Sequence, residues 1–464
     1  MLQMNARCMY LNWTSHDRPN IVMIMSDAFL PYINYMRETG AAFLNSYTNS
    51  PICCPSRAAM WSGQFVHLTQ AWNNYKCLDP NATTWMDRLG KSGNRVEAWT
   101  RDVPFLLRQE GRPVTDLVGD TSTKRVMIKD WNITDAAVQW IRHTAASLAQ
   151  PFGLYVGLNL PHPYRTDSLG PTAGVSVPKW LRVEDMHPVD YYSTFTKNCS
   201  DHFTEEEIRN IRAFYYAMCA ETDSMLGEVI AALRETGLLN RTVILFTSDH
   251  GDLAMEHRQF YKMSMFEGSS HVPLLIMGPG VKPGFEISLP VSLVDIYPTV
   301  LDLAGVPQPG GLSGHSLIPL LSGVSVQSVE PHPGWVLSEY HGCNANASTY
   351  MLRIGEWKYI TYADGLTVPS QLFNLSKDES ELRNVASHFP HVCQDLDKML
   401  RTIVDYPSIS QAVHHYNKQQ FLEWKQSLGD SYSQVIANLR WHIDWQKDAK
   451  SYERDIEEWL SGSD

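Results

Sequence analysis

Ser50-Pro51-Ile52-Cys53-Cys54-Pro55-Ser56-Arg57 runs directly into the small-residue stretch Ala58-Ala59-Met60-Trp61-Ser62-Gly63. Pro55 suits the first turn of a helix, where its missing N–H costs nothing. The spacing of Ala58, Ala59, Met60, Trp61 and Phe65 predicts that this helix is short and buried. Cys53 then stands at the helix N-terminus, where backbone N–H groups and the dipole favour an anion. Arg57, one turn in, can pair with whatever Cys53 becomes or with a metal beside it. Taken alone, the window reads equally well as two structural cysteines beside a turn, so the surrounding chain decides.

Two apolar runs end in carboxylates. Asn20-Ile21-Val22-Met23-Ile24-Met25-Ser26-Asp27 and Thr242-Val243-Ile244-Leu245-Phe246-Thr247-Ser248-Asp249-His250-Gly251 both predict buried parallel strands. Open α/β sheets place their sites at such carboxyl ends. Phe152 to Leu160 predicts a third strand, and strands alternating with helices indicate an α/β fold. Thr204-Glu205-Glu206-Glu207 is a capping box that opens a long helix ending near Gly237. A shorter helix starts near Pro298 and stops at Gly305. Lys262 lies in an aromatic, Met-rich segment, Phe260 to Phe266, which favours a pocket over a solvated surface.

With Cys53-x-Pro55-Ser56-Arg57 and Ser248-Asp249-His250-Gly251 together, the chain resembles the sulfatase family, from about Pro19 to about Leu460. Further stretches carry the likeness: Tyr47 to Ser50, Arg95 to Asp102, Arg212 to Asp223, and the Trp-rich segment around Trp441 and Trp445. The resemblance implies an alkaline-phosphatase-like fold, a large mixed sheet flanked by helices with a small C-terminal antiparallel sheet. It implies that a formylglycine-generating enzyme oxidises Cys53 to 3-oxoalanine (formylglycine). Chemistry agrees, because a thiol attacking a sulfate ester leaves an intermediate with no easy exit. A hydrated aldehyde has one hydroxyl to attack and a second to expel the sulfate. One calcium ion would be held by Asp27, Cys53, Asp249 and His250, the two carboxylates being the hard donors calcium prefers. Lys262 would bind the sulfate. Within the family the likeness points to a glucuronate-2-sulfatase acting on glycosaminoglycan fragments of heparan, chondroitin or dermatan sulfate in the lysosome.

Two histidines compete as general acid: His162 in Leu160-Pro161-His162-Pro163-Tyr164, and His187 in Met186-His187-Pro188. Imidazole titrates in the range an acidic compartment needs. Each reads equally well as a hydrogen-bonded loop residue. His187 is favoured and His162 is retained.

The chain also departs from the family. Ala28-Phe29-Leu30-Pro31 follows Asp27, where relatives carry a further Asp in a longer loop. The Gly-Lys segment expected before Arg95 is missing, and Lys91 belongs to a preceding helix end, so no catalytic role is carried to it. The stretch from Tyr164 to Val177 is short as well. These gaps keep open a catalytically impaired, glycan-binding relative. A phosphodiesterase of the same superfamily is the other alternative, disfavoured because such enzymes use Ser or Thr where Cys53 stands.

The 464 residues divide into an unassigned segment 1–18, a catalytic domain 19–330 and a C-terminal α+β subdomain 331–464. The boundary is expected near Pro331 to Pro333. In the second part, Trp335 to Glu339, Thr349 to Arg353, Trp357 to Tyr362 and Gln371 to Leu375 predict strands, and helices follow from about Asp395. A net charge of −12 argues against nucleic acid, which needs a basic face. For an anionic glycan it requires local basic groups, here Arg57, Lys262 and the histidines. No apolar stretch reaches the length of a membrane span, and residues 1–18 contain no recognisable secretory signal. Asn-x-Ser/Thr sequons at Asn12, Asn81, Asn132, Asn198, Asn240, Asn346 and Asn374 nevertheless point to a lysosomal or secreted protein whose start is incomplete or atypical. Cys199/Cys219 and Cys343/Cys393 are candidate disulfides whose connectivity sequence alone leaves open.

Overall fold

The computed structural model describes residues 18–25, 31–99, 125–162, 172, 174–197, 199–200, 202–321, 332–342, 347–438 and 447–462. A seven-stranded mixed sheet forms its centre. In chain order its strands are β1 (Asn20–Met25), β2 (Ala41–Phe43), β3 (Arg95–Trp99), β4 (Phe152–Gly157), β5 (Thr242–Thr247), β6 (Leu274–Met277) and β7 (Phe285–Ile287). They lie in the order β7-β2-β6-β5-β1-β4-β3. β1 pairs in parallel with β4 and β5, while β6 runs antiparallel to both of its neighbours.

Every residue of β1, β4 and β5 is buried, as uninterrupted apolar runs predict for strands covered on both faces. The pleat sends alternate side chains to opposite layers. Ile21, Met23 and Met25 of β1 join one cluster with Cys54, Met60 and Trp61 of helix α1 (Cys53–Ser62). Val22 and Ile24 join the other, built with helices α2 (Ile128–His143) and α4 (Glu205–Glu235). Between those two helices in sequence lies a short one, α3 (Pro188–Thr196). The Thr204 capping box forms in full: Glu207 N–H donates to Thr204 Oγ1 at 3.2 Å and Thr204 N–H to Glu207 Oε2 at 2.8 Å. Helix α5 (Ile296–Leu303) stops before Gly305, which takes φ 61°.

A second, wholly antiparallel sheet follows: β8 (Trp335–Tyr340), β9 (Thr349–Ile354), β10 (Trp357–Tyr362) and β11 (Gln371–Asn374). Leu337, Tyr350, Leu352 and Leu372 pack with Leu396 and Leu400 of helix α6 (Pro390–Ile403), and with Phe65, Val66 and Trp72 of the main body. Helix α6 starts five residues earlier than expected, at Pro390, a residue suited to a first turn. The expected α/β plan is therefore observed. The boundary expected at 330/331 lies outside the described residues, as do Trp441 and Trp445. Among the described residues no helix is long and apolar enough to cross a membrane.

The cysteines correct the expectation. The disulfide joins Cys54 to Cys77, while Cys199 and Cys393 are free thiols, so neither candidate pair forms. Cys199 is fully buried as a free thiol, and contact in the fold, not sequence spacing, selects the pair.

Candidate active site

The parallel strands β4 and β5 carry their following loops, Leu158–His162 and Ser248–Asp252, to one edge of the sheet. Helix α1 begins at that edge. Its first nine residues, Cys53 to Trp61, are all buried, and Ile52 before it is extended with no side-chain cap. Cys54 N–H donates to Asn74 Oδ1 at 2.9 Å. At the other end Gly63 closes the helix at φ 69°, and a Cβ there would meet Tyr297 and Leu312 at 2.9 Å. The helix is thereby fixed at both ends, with Cys53 pointing at the strand edge.

Cys53 Sγ lies 3.2 Å from His250 Nε2. His250 Nδ1 faces the Gly251 carbonyl at 2.8 Å, which orients the ring. The Pro-Ser-Arg part of the motif grips Asp249 twice. Ser56 Oγ donates to the Asp249 carbonyl, and Arg57 Nε donates to Asp249 Oδ2 at 2.7 Å. Thr48 Oγ1 donates to Ser56 Oγ at 2.8 Å and fixes the first of these.

Lys262 is buried beside them. It sits between Tyr261 (φ 67°) and Met263 (φ 74°), in a loop where Met255, His257 and Arg258 also take positive φ. Non-glycine residues in this region are strained, and such strain gathers at functional sites.

Charge accounts for the chemistry. Burial by itself would raise the Cys53 thiol, but Lys262 and His250 outweigh it and bring its pKa down to about 5. Burial would lower His250, yet Asp249 and Cys53 raise it to about 9. Asp249 is held far below the usual carboxylate range against its burial by Arg57, His250 and Lys262. A cysteine, an aspartate and a histidine thus converge, with one ligand atom each within 4.8 Å of the others. Two anions facing the imidazole favour positive charge there, which a bound cation would supply in place of a proton. A thiolate, a carboxylate and an imidazole within this distance are donors that could hold a metal ion.

The structure brings together Cys53, Arg57, Asp249, His250 and Lys262. His162 joins them: it lines the same cleft as Cys53, Arg57, Asp249 and His250, and its ring stacks on Tyr261 at 6.1 Å. Asp130 shapes its loop by accepting from Asn159 N–H and Leu160 N–H, both at 2.7 Å. His187 is not brought there. It precedes Pro188 as the N-cap of α3, its Nε2 faces the Pro369 carbonyl at 2.9 Å, and it stacks on Tyr362. Its wall belongs to a separate cavity of about 690 Å³. Asp27 lies outside the described residues. Lys91 is the exposed last residue of a helix, Trp85–Lys91, and does not line the cleft. Sequence reading missed Asp252, a buried cleft residue whose carboxyl is pushed up to about 6 by burial, against the pull of Lys262, His250 and Lys197. Its only signal was its place three residues after Asp249.

Residues 19–306 match the Sulfatase family, and residues 255–405 match the family described as N-sulphoglucosamine sulphohydrolase, C-terminal. The chain belongs to the sulfatase family. This sulfatase is 78% identical to arylsulfatase K of Danio rerio, over all of this chain and 98% of that protein. It is 54% identical to arylsulfatase K of Homo sapiens, over 95% of this chain and 92% of that one. The Danio rerio alignment runs over 515 positions against 464 residues here, so that relative has at least 51 positions with no counterpart in this chain. Among solved structures, a 2-O GAG sulfatase superposes with TM-score 0.70 at 23% identity, covering 84% of this chain and 93% of that one. A phosphonate monoester hydrolase from Silicibacter pomeroyi superposes with TM-score 0.69 at 21% identity, covering 84% and 96%. These likenesses concern the fold. The sulfatase is a sulfuric ester hydrolase.

Proposed function

We propose that this sulfatase removes the 2-O-sulfate of glucuronate from glycosaminoglycan fragments, with Cys53 carried as formylglycine and one calcium ion bound beside it. The observation that carries the reading is the placement of Cys53 at the start of a buried helix, 3.2 Å from His250, within a ring of Asp249, Arg57 and Lys262. When formed, the aldehyde hydrate supplies a hydroxyl nucleophile in place of the thiol. The calcium ion would be held by Asp249, His250 and position 53, with Asp27 as a second carboxylate, and would supply positive charge toward sulfate oxygens.

The chain's own groups do the remaining work. Lys262 attracts the sulfate into a site whose low dielectric strengthens the attraction. Arg57 keeps Asp249 ionised and fixed. His162, at the open side of the cleft, donates a proton to the leaving sugar oxygen. This choice departs from the sequence preference for His187, because His187 is committed to Pro369 and Tyr362.

Two observations support a lumenal setting, lysosomal or secreted. Asn81, Asn132 and Asn240 of the sequons are exposed. Cys54 and Cys77 form a disulfide, as oxidising compartments allow. Dependence on a formylglycine-generating enzyme in the secretory route follows from the reading of Cys53.

The test is sulfate release from disaccharides ending in 2-O-sulfated glucuronate, 2-O-sulfated iduronate or 6-O-sulfated glucosamine, at acidic pH. Preferential turnover of the first, lost in Cys53→Ala, supports the proposal. Preference for either of the others overturns the sugar assignment, and turnover in Cys53→Ala overturns the nucleophile.

A further inference from the structure

Lys197 is a buried lysine one residue beyond the end of α3. It does not line the cleft around Cys53. Its ammonium donates to the Lys262 carbonyl at 2.7 Å and to Gln259 Oε1 at 2.8 Å. Gln259, itself fully buried, also accepts from Ser193 Oγ of α3 at 3.1 Å. On the other side, Asp252 holds the backbone N–H of Tyr261. Met263 N–H donates to the Pro51 carbonyl at 3.0 Å, two residues before Cys53.

The five residues Gln259 to Met263 are therefore tied to three separate parts of the fold: α3, the Asp249–Asp252 loop and the start of the Cys53 segment. Such ties are needed, because Tyr261 and Met263 hold positive φ on either side of Lys262. Released, either residue gains by returning to an ordinary conformation, and that rotation carries the Lys262 side chain away. Among the described residues, Lys197 supplies the side-chain hydrogen bond to the main chain of Lys262 itself. A buried ammonium is also a costly way to fill space, so an uncharged side chain would serve packing better. Burial pulls its pKa down to about 8, yet the carbonyl and amide oxygens leave it the donors it needs.

We propose that Lys197 is a positioning residue: by clamping the Lys262 carbonyl and Gln259 it holds a strained loop that aims the Lys262 ammonium at the group on position 53. This rests on the reading of Lys262 as the sulfate-binding lysine.

The experiment is a double-mutant cycle on the full chain with Lys197→Met and Lys262→Ala, read by kcat/KM. Lys197→Met removes both hydrogen bonds and keeps the side-chain stem. The expected loss is about 10- to 100-fold, the scale of misplacing a reacting group by about an ångström. In the Lys262→Ala background the same change should cost less than about 3-fold, because the group being positioned is gone. No loss in the single variant, or an equal loss in both backgrounds, overturns the proposal. Where turnover falls below detection, binding of inorganic sulfate to the same variants in Cys53→Ala protein gives the same comparison. If Lys197→Met does not fold, the shorter Lys197→Gln breaks the clamp while keeping a polar end, and the same outcomes apply. Lys262→Ala with undiminished turnover would instead sink the reading of Lys262. An essential Lys262 with a dispensable Lys197 would sink this inference alone.

Discussion

Cys53 and His250 face each other at 3.2 Å from opposite sides of a fixed junction, one opening a helix and the other following a strand. The junction is rigid because Ser56 and Arg57, on the same helix as Cys53, hold the main chain and side chain of Asp249, next to His250. The motif is thus one mechanical unit: its serine and arginine fix the loop that its cysteine faces.

Arg57 and Asp249 are both buried, so removing one charge strands the other. Arg57→Met is expected to destabilise the fold by about 3 kcal/mol, the usual scale for breaking one side of a buried pair. Turnover should also fall, since Asp249 loses its partner. Urea unfolding with an unchanged slope would measure the first effect, and kcat/KM the second.

The two histidines separate cleanly. His162→Ala should lower kcat by about 10²- to 10⁴-fold on a sugar sulfate, the range of a lost general acid, and less on an aryl sulfate whose leaving group needs no proton. His187→Ala should leave kcat within about 3-fold of the parent, because its partners are Pro369 and Tyr362. Steady-state kinetics on both substrates decides between them.

This pair also marks what sequence could and could not carry. Buried parallel strands announce themselves as unbroken apolar runs, and the capping box at Thr204 announces its helix, so the sheet and its reactive edge were legible. Cys53, Arg57, Asp249, His250 and Lys262 were legible because two short motifs brought them with known partners. His162 and His187 looked alike because both flank prolines. A closer reading of position distinguishes them: His162 follows a strand end, where sites form, whereas His187 immediately precedes a proline that opens a helix, the place of a cap. Lys197 and the Cys54–Cys77 bridge were not legible, since their meaning lies in contacts that the fold makes and that residue spacing does not announce.

Asp190 makes stability depend on pH. Burial pushes its carboxyl up to about 7, against the Gln371 hydrogen bond and the charge of Lys197. An unfolded aspartate titrates near about 3.9, so between these values the folded chain holds the proton more tightly. Its contribution is full below the unfolded value and is lost as pH rises through about 7. Denaturation midpoints should therefore be higher in mildly acidic than in neutral buffer, and Asp190→Asn should flatten that difference. An unchanged slope in the variant would assign the dependence to other groups.

The Cys54–Cys77 bridge closes a loop of sequence separation 23 beside Cys53. Cys54→Ala with Cys77→Ala should lower stability by about 2–4 kcal/mol. Thermal melting of the double variant against the parent measures it, and no change would mean that the packing of α1 suffices without the bridge.

The account turns on the state of position 53. The most direct measurement is the mass of the Cys53-containing peptide, taken on the same preparations whose sulfate release is assayed, with and without co-expressed formylglycine-generating enzyme. The account predicts that specific activity rises in proportion to the aldehyde fraction and vanishes in Cys53→Ala. Full activity from protein whose Cys53 remains entirely thiol would contradict it.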